Sequence, residues 1–194
     1  TVVNATTHPV ATNLVTATTQ SNTSIQINWN AIAGNGTVQY DLERSTNGTT
    51  WSNVTLLITG TTYTDTGLTP LTQYQYRVTS VNSGGSSAPS IASAPVTTFA
   101  APEPPTNLTL LALLNAEIQL DWIAPTVTNG APVTSYNIER STNGTTWSTL
   151  VNNVNALNYT DTGLTTSQVY HYRVAANSIY GTSVFSAPAN AMAS

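Results

Sequence analysis

Few side chains in this sequence are able to do chemistry. There are two histidines, His8 and His171, with four basic residues, eight carboxylates and no cysteine. The four basic residues are all arginine: Arg44, Arg77, Arg140 and Arg173. Without cysteine there is no thiolate nucleophile, no disulfide and no thiolate zinc site. Without lysine, and with no Gly-rich phosphate loop, most nucleophilic and phosphoryl-transfer constellations are excluded. His8 precedes the first strand pattern. His171 lies on the outward side of a strand, between two inward tyrosines. Neither has an acid or a nucleophile at fixed spacing. The expected catalytic, cofactor-binding and metal-binding sets are therefore all empty, and the chain reads as a non-enzyme.

The remaining candidates are polar or aromatic. Glu43 and Arg77, and again Glu139 and Arg173, fall on adjacent strands and point outward. This predicts a cross-strand ion pair worth about 0.2–1 kcal/mol. Asp65 and Asp161 stand in Thr-Asp-Thr-Gly stretches, where the carboxylate is expected to bond backbone two residues on. One carboxylate per loop is too few for calcium. Trp51 and Trp147 follow a tight turn. They are expected to cover the sheet face, with stacking on sugar rings as the alternative. Asn-x-Ser/Thr triplets at Asn4, Asn22, Asn35, Asn47, Asn53, Asn107, Asn143 and Asn158 are acceptors for N-linked glycans in a suitable pathway.

Composition narrows the setting. Charged residues are 6% of the 194, with a net charge of −4, against about 25% charged in ordinary soluble domains. There is no basic footprint for nucleic acid and no polybasic membrane patch. No apolar run approaches the roughly 20 residues of a membrane span. A lysine-free exterior rich in Thr, Ser, Asn and Gln suits an extracellular or cell-surface protein of bacterial or archaeal origin. Absent disulfides argue against a typical animal extracellular module. Thr1 is not an initiator methionine, so the chain is expected to be a processed protein or a fragment.

The elements that hold these residues come in two copies. Residues Glu43 to Ser52 (ERSTNGTTWS) recur unchanged as Glu139 to Ser148. Each copy centres on Asn-Gly, Asn47-Gly48 or Asn143-Gly144, and predicts a hairpin with a type I′ turn. Around it, Ser24 to Trp29 alternates polar and apolar, placing Ile25, Ile27 and Trp29 on one face. Tyr40 and Leu42, then Tyr74, Tyr76 and Val78, do the same. A first strand is expected at Asn13-Leu14-Val15, a turn-rich crossing at Thr64 to Leu68, a turn at Gly84-Gly85 and a last strand ending near Phe99. Residues 1–8 read as a tail or donor strand, 9–100 as the first domain, 101–105 as a semi-rigid Pro-rich linker, and 106–194 as the second domain. No window has a helical period, so the fold class is all-β.

The paired core residues carry a resemblance. Trp29 and Trp122, Tyr40 and Tyr136, Leu68 and Leu164, the corner tyrosines Tyr74 and Tyr170, and the Tyr-x-Val steps at Tyr76 and Tyr172 are together similar to the fibronectin type III family. The resemblance spans roughly residues 9 to 194. It implies two tandem immunoglobulin-like β-sandwiches, each with sheets of three and four strands. The family's Arg-Gly-Asp adhesion triplet is absent, so that function is not carried over.

The main functional expectation is a structural building block of a surface appendage, sheath or filament. Its partners would be other copies of itself, joined through strand edges that lack protective lysine, with glycans as further partners. The alternatives are a spacer or carbohydrate-binding module of a larger secreted hydrolase, and a virion decoration domain.

Overall fold

The computed structural model describes residues 7–33 and 36–194, and they contain no helix. The chain divides into two compact units, Thr1–Phe99 and Ala100–Ser194. In the first, β1 (Val15–Thr19), β2 (Ser24–Trp29) and β5 (Thr62–Thr66) form one antiparallel sheet in the order β1-β2-β5. The second sheet runs β4 (Ser52–Ile58), β3 (Gln39–Ser45), β6 (Gln73–Asn82), β7 (Gly85–Ser86), and β8 (Val96–Thr97) also pairs with β6. Since β7 and β8 share one edge of β6, they are two pieces of a single seventh strand, and the sheets hold three and four strands.

Side chains alternate across a strand, so the polar-apolar pattern decides which face meets the opposite sheet. Ile25, Ile27, Leu42, Tyr76 and Val78 are fully buried between the sheets, with Trp29 and Tyr40 beside them. Burying each such side chain contributes about 1.5–3 kcal/mol. Trp29 meets Tyr40 edge-on, with centroids 5.6 Å apart at 64°, the geometry that ring quadrupoles favour.

The seventh strand is interrupted because Pro89 and Pro95 have no N–H for a ladder. Serines at intervals of three replace the missing pairing. Ser87, Ser90 and Ser93 donate their N–H groups to the carbonyls of Ser80, Val78 and Tyr76, each at 2.8 Å. Their hydroxyls accept the N–H of the same three residues at 3.0, 3.0 and 3.1 Å. Three residues on one side thus match two on the other.

The second unit repeats the plan. One sheet runs β13 (Asn158–Asp161), β10 (Glu117–Ile123), β9 (Thr106–Leu113). The other runs β12 (Ser148–Val154), β11 (Ser135–Ser141), β14 (Val169–Ser178), β15 (Gly181–Thr182), with β16 (Ala189–Met192) also on β14. Ser183 and Ser186 make the same paired bonds to Ala176 and Val174.

Two local expectations are corrected. The first strand begins at Val15, the last residue of the expected stretch. The crossing at Thr64–Leu68 is mostly strand, since β5 pairs along β2 from Thr62 to Thr66. The proline stretch is bonded to residues of the second unit. Ala100 and Glu103 donate to the carbonyls of Asn129 and Val127 (3.0 Å each), and Asn129 donates to Ala101 O at 2.8 Å. Of the expected tail, residues 1–6 lie outside the described residues. Thr7 and His8 lie against their own domain: Asn82 donates to Thr7 O at 2.9 Å, and His8 Nδ1 is 3.1 Å from Ser86 O.

Candidate ligand surface at the repeated turn

The ten-residue repeat closes by side-chain bonds. Ser45 Oγ accepts the N–H groups of Asn47 (3.2 Å) and Gly48 (2.9 Å). Asn47 Oδ1 accepts those of Thr49 (2.9 Å) and Thr50 (2.8 Å). Ser141 and Asn143 repeat all four bonds. Only Gly48 and Gly144 of the Asn-Gly pairs take positive φ, 74° and 72°. A type I′ turn needs positive φ at both residues, so that expectation is corrected. The asparagine is used as an Asx cap, and residues 46–51 separate β3 from β4. Consecutive positive φ values occur instead at Asn115 (68°) and Ala116 (57°), in the β9–β10 turn.

On the outer face the expected ion pairs are present. Arg77 grips Glu43 with Nε (2.7 Å) and Nη2 (3.1 Å). Arg173 grips Glu139 at 2.8 and 2.6 Å. The Arg77 guanidinium also sits 4.5 Å from the centre of the Trp51 ring. Arg173 lies 4.4 Å from both Trp147 and Phe185. Both tryptophans are half-buried. One role of these rings is therefore to cover the sheet and stack on arginine.

The inner side holds residues that pattern reading missed. Alternation from Tyr40 and Leu42 places Arg44 on the core face, at its rim. Its Nη1 donates to Asp65 Oδ2 at 2.9 Å, and the buried Tyr76 hydroxyl donates to the same oxygen at 3.0 Å. Asp65 is 4% exposed. It ties the two sheets together and does not cap a turn, which corrects its expected role. Arg140, Asp161 and Tyr172 reproduce the arrangement at 2.9 and 2.8 Å. Burial, and then the adjacent carboxylate, push the Tyr76 and Tyr172 hydroxyls well above the ordinary 10.0. The corner tyrosines accept backbone N–H bonds from Thr69 (3.1 Å) and Thr165 (3.0 Å).

Beside each turn lies a shallow polar cleft. Arg44, Thr46, Thr50, Ser52 and Tyr74 wall the first. Arg140, Thr142, Thr146, Trp147 and Ser148 wall the second. The sequon residues scatter. Asn53, Asn107 and Asn158 are exposed, and Asn22 is half-buried. Asn47 and Asn143 are exposed but engaged in their turns. Asn4 and Asn35 lie outside the described residues. His171 packs over Gly144, and His8 over Gly85. Among the described residues, no three His, Cys, Asp or Glu side chains gather to hold a metal ion, and no helix is long and apolar enough to cross a membrane.

The family model for the fibronectin type III domain matches residues 9–96 and 103–192. The chain belongs to the fibronectin type III family. Its paired fibronectin type III domains resemble parts of several polysaccharide-degrading enzymes. It is 36% identical to exoglucanase B of Cellulomonas fimi over 141 residues, which are 69% of this chain and 12% of that protein. It is 32% identical to chitinase A1 of Niallia circulans over 166 residues, covering 81% of this chain and 22% of that one. It is 38% identical to chitinase 63 of Streptomyces plicatus over 91 residues, 46% of this chain and 14% of that one. The chain thus spans under a quarter of the length of each of these relatives.

Proposed function

We propose that this fibronectin type III pair is a non-catalytic accessory segment of a larger extracellular hydrolase acting on an insoluble polysaccharide. One observation carries the reading: these relatives are an exoglucanase and two chitinases, and the matched part is 12–22% of each. Two small sandwiches fit a spacer that sets the reach of a catalytic domain, or a weak surface contact. The relatives favour this reading over the appendage or filament. A strand-donating filament would draw on the tail, and the described part of that tail binds its own domain. Exposed sequon residues such as Asn53 and Asn158 are where an extracellular chain would carry glycans.

The test deletes both domains from the parent enzyme. Turnover of insoluble cellulose or chitin should fall, while turnover of a soluble oligosaccharide stays unchanged. Equal activity on the solid substrate with and without the pair would overturn the reading.

A further inference from the structure

The two clefts beside the repeated turns are the same surface made twice. Within Glu43 to Ser52 the structure assigns fold roles to most residues. Glu43 holds Arg77, Arg44 holds Asp65, Ser45 and Asn47 close the turn, Gly48 supplies positive φ, and Trp51 stacks. Thr46 and Thr50 have no comparable role. Both side chains are exposed, and the only hydrogen bond to either one among the described residues is a long 3.4 Å contact from Asn47 to Thr50. Yet both recur as Thr142 and Thr146. The stretch that follows, 53–60 against 149–156, differs at every position. A fold that tolerates full divergence one residue beyond the turn does not itself require those threonines.

The chemistry of the walls selects a class of ligand. The guanidinium of Arg44 has five N–H donors, and its hydrogen bonds among the described residues all run from Nη1 to Asp65. Its side chain is 34% exposed and lies over the Tyr74 ring, and it lines the cleft with N–H groups not used by Asp65. Asp65 balances its charge, and no other charged side chain walls the cleft. Hydroxyls of Thr46, Thr50 and Ser52 both donate and accept. An aromatic ring closes one side: in the first cleft Tyr74, buried and stacked under the Arg44 guanidinium at 5.6 Å, and in the second half-buried Trp147, one face of which stacks on Arg173. A neutral donor-acceptor wall beside an aromatic face suits a ligand with hydroxyls on its edges and C–H groups on its faces. We infer that each cleft is a weak binding site for a neutral oligosaccharide, with the Trp147 cleft the stronger. This deepens the accessory-segment reading and rests on it.

The experiment is a ¹H–¹⁵N titration of the full chain with cellohexaose and with chitohexaose. Saturable shifts at Thr142, Thr146 and Trp147 in the millimolar range, with weaker ones at Thr46 and Thr50, support the site. The double variant T142A/T146A should keep its spectrum elsewhere and lose about tenfold in affinity, some 1.4 kcal/mol. Three results overturn the site: no saturable shift with either sugar, unchanged binding in the double variant, or a response only to an anion such as tripolyphosphate. If the clefts stay silent while deleting the pair still slows action on the solid polymer, the site falls and the accessory reading stands.

Discussion

Leu57 in the first domain and Asn153 in the second stand at the same bulge, each opposite a side chain that caps it. Asp41 Oδ1 accepts the Leu57 N–H at 2.8 Å, and Asn137 Oδ1 accepts that of Asn153 at 3.2 Å. Both backbones are left-handed, with φ of 57° and 60°. Asparagine adopts that region readily, whereas leucine does so at a cost of about 1–2 kcal/mol. Leu57 is also half exposed, so packing returns little. A second contrast lies in the core. Tyr40 pairs with Ser80 and Tyr136 with Ala176. The Ser80 hydroxyl is buried without a hydrogen-bond partner among the described residues, and the alanine avoids that cost. The second domain has its own departure, Ala116 at φ 57°. One fold thus accommodates different local misfits, because the shared interior outweighs each of them.

The largest effect should come from what the domains share. Asp65→Ala and Asp161→Ala each strand an arginine and a buried tyrosine hydroxyl, and each should cost its own domain about 2–3 kcal/mol. Urea unfolding followed by domain-resolved NMR measures both. Costs that differ by more than a factor of two would show that the two networks are not equivalent.

Alkali should act through the same tyrosines. Their folded pKa values lie above the unfolded 10.0, so the folded state holds the phenolic proton longer. That stability is fully present below pH 10 and is lost as pH rises above about 10. The loss is up to about 1.4 kcal/mol per pH unit for each tyrosine. Tyr76→Phe should flatten this fall in the first domain only. An unchanged slope would count against the buried phenol.

Two smaller changes would bring the first domain toward the second. Leu57→Asn should stabilise it by about 1 kcal/mol, which is roughly 4–8 °C in Tm for a domain of this size. Ser80→Ala should add about 0.5–1 kcal/mol. Calorimetry of each variant tests them, and a lowered Tm in either would mean that the local strain or the orphaned hydroxyl is misassigned.

Much of the fold was legible because its signal is local. Period-2 alternation through Ile25, Ile27 and Trp29, or Tyr74, Tyr76 and Val78, decides the buried face wherever a strand forms. The outward Glu43–Arg77 pair followed from the same alternation. The turn was misread because Asn-Gly constrains φ only when two residues close the hairpin. Here Asn47 Oδ1 and Ser45 Oγ supply the closing acceptors across a longer loop. The interval Ser87, Ser90, Ser93 was readable but belongs to no strand period, since it pairs three residues against two.

By itself the sequence determined two repeated all-β units, the identity of the core tyrosines and tryptophans, and the absence of thiol and amine chemistry. These follow from residue type and spacing along one strand. Only tertiary structure decided that Asp65 and Asp161 are bolts between sheets, that arginines cap Trp51 and Trp147, and that threonines of the repeat wall a cleft. Each depends on residues brought together from different strands, such as Arg44 and Asp65 from opposite sheets, and sheet packing sets those distances where chain order does not.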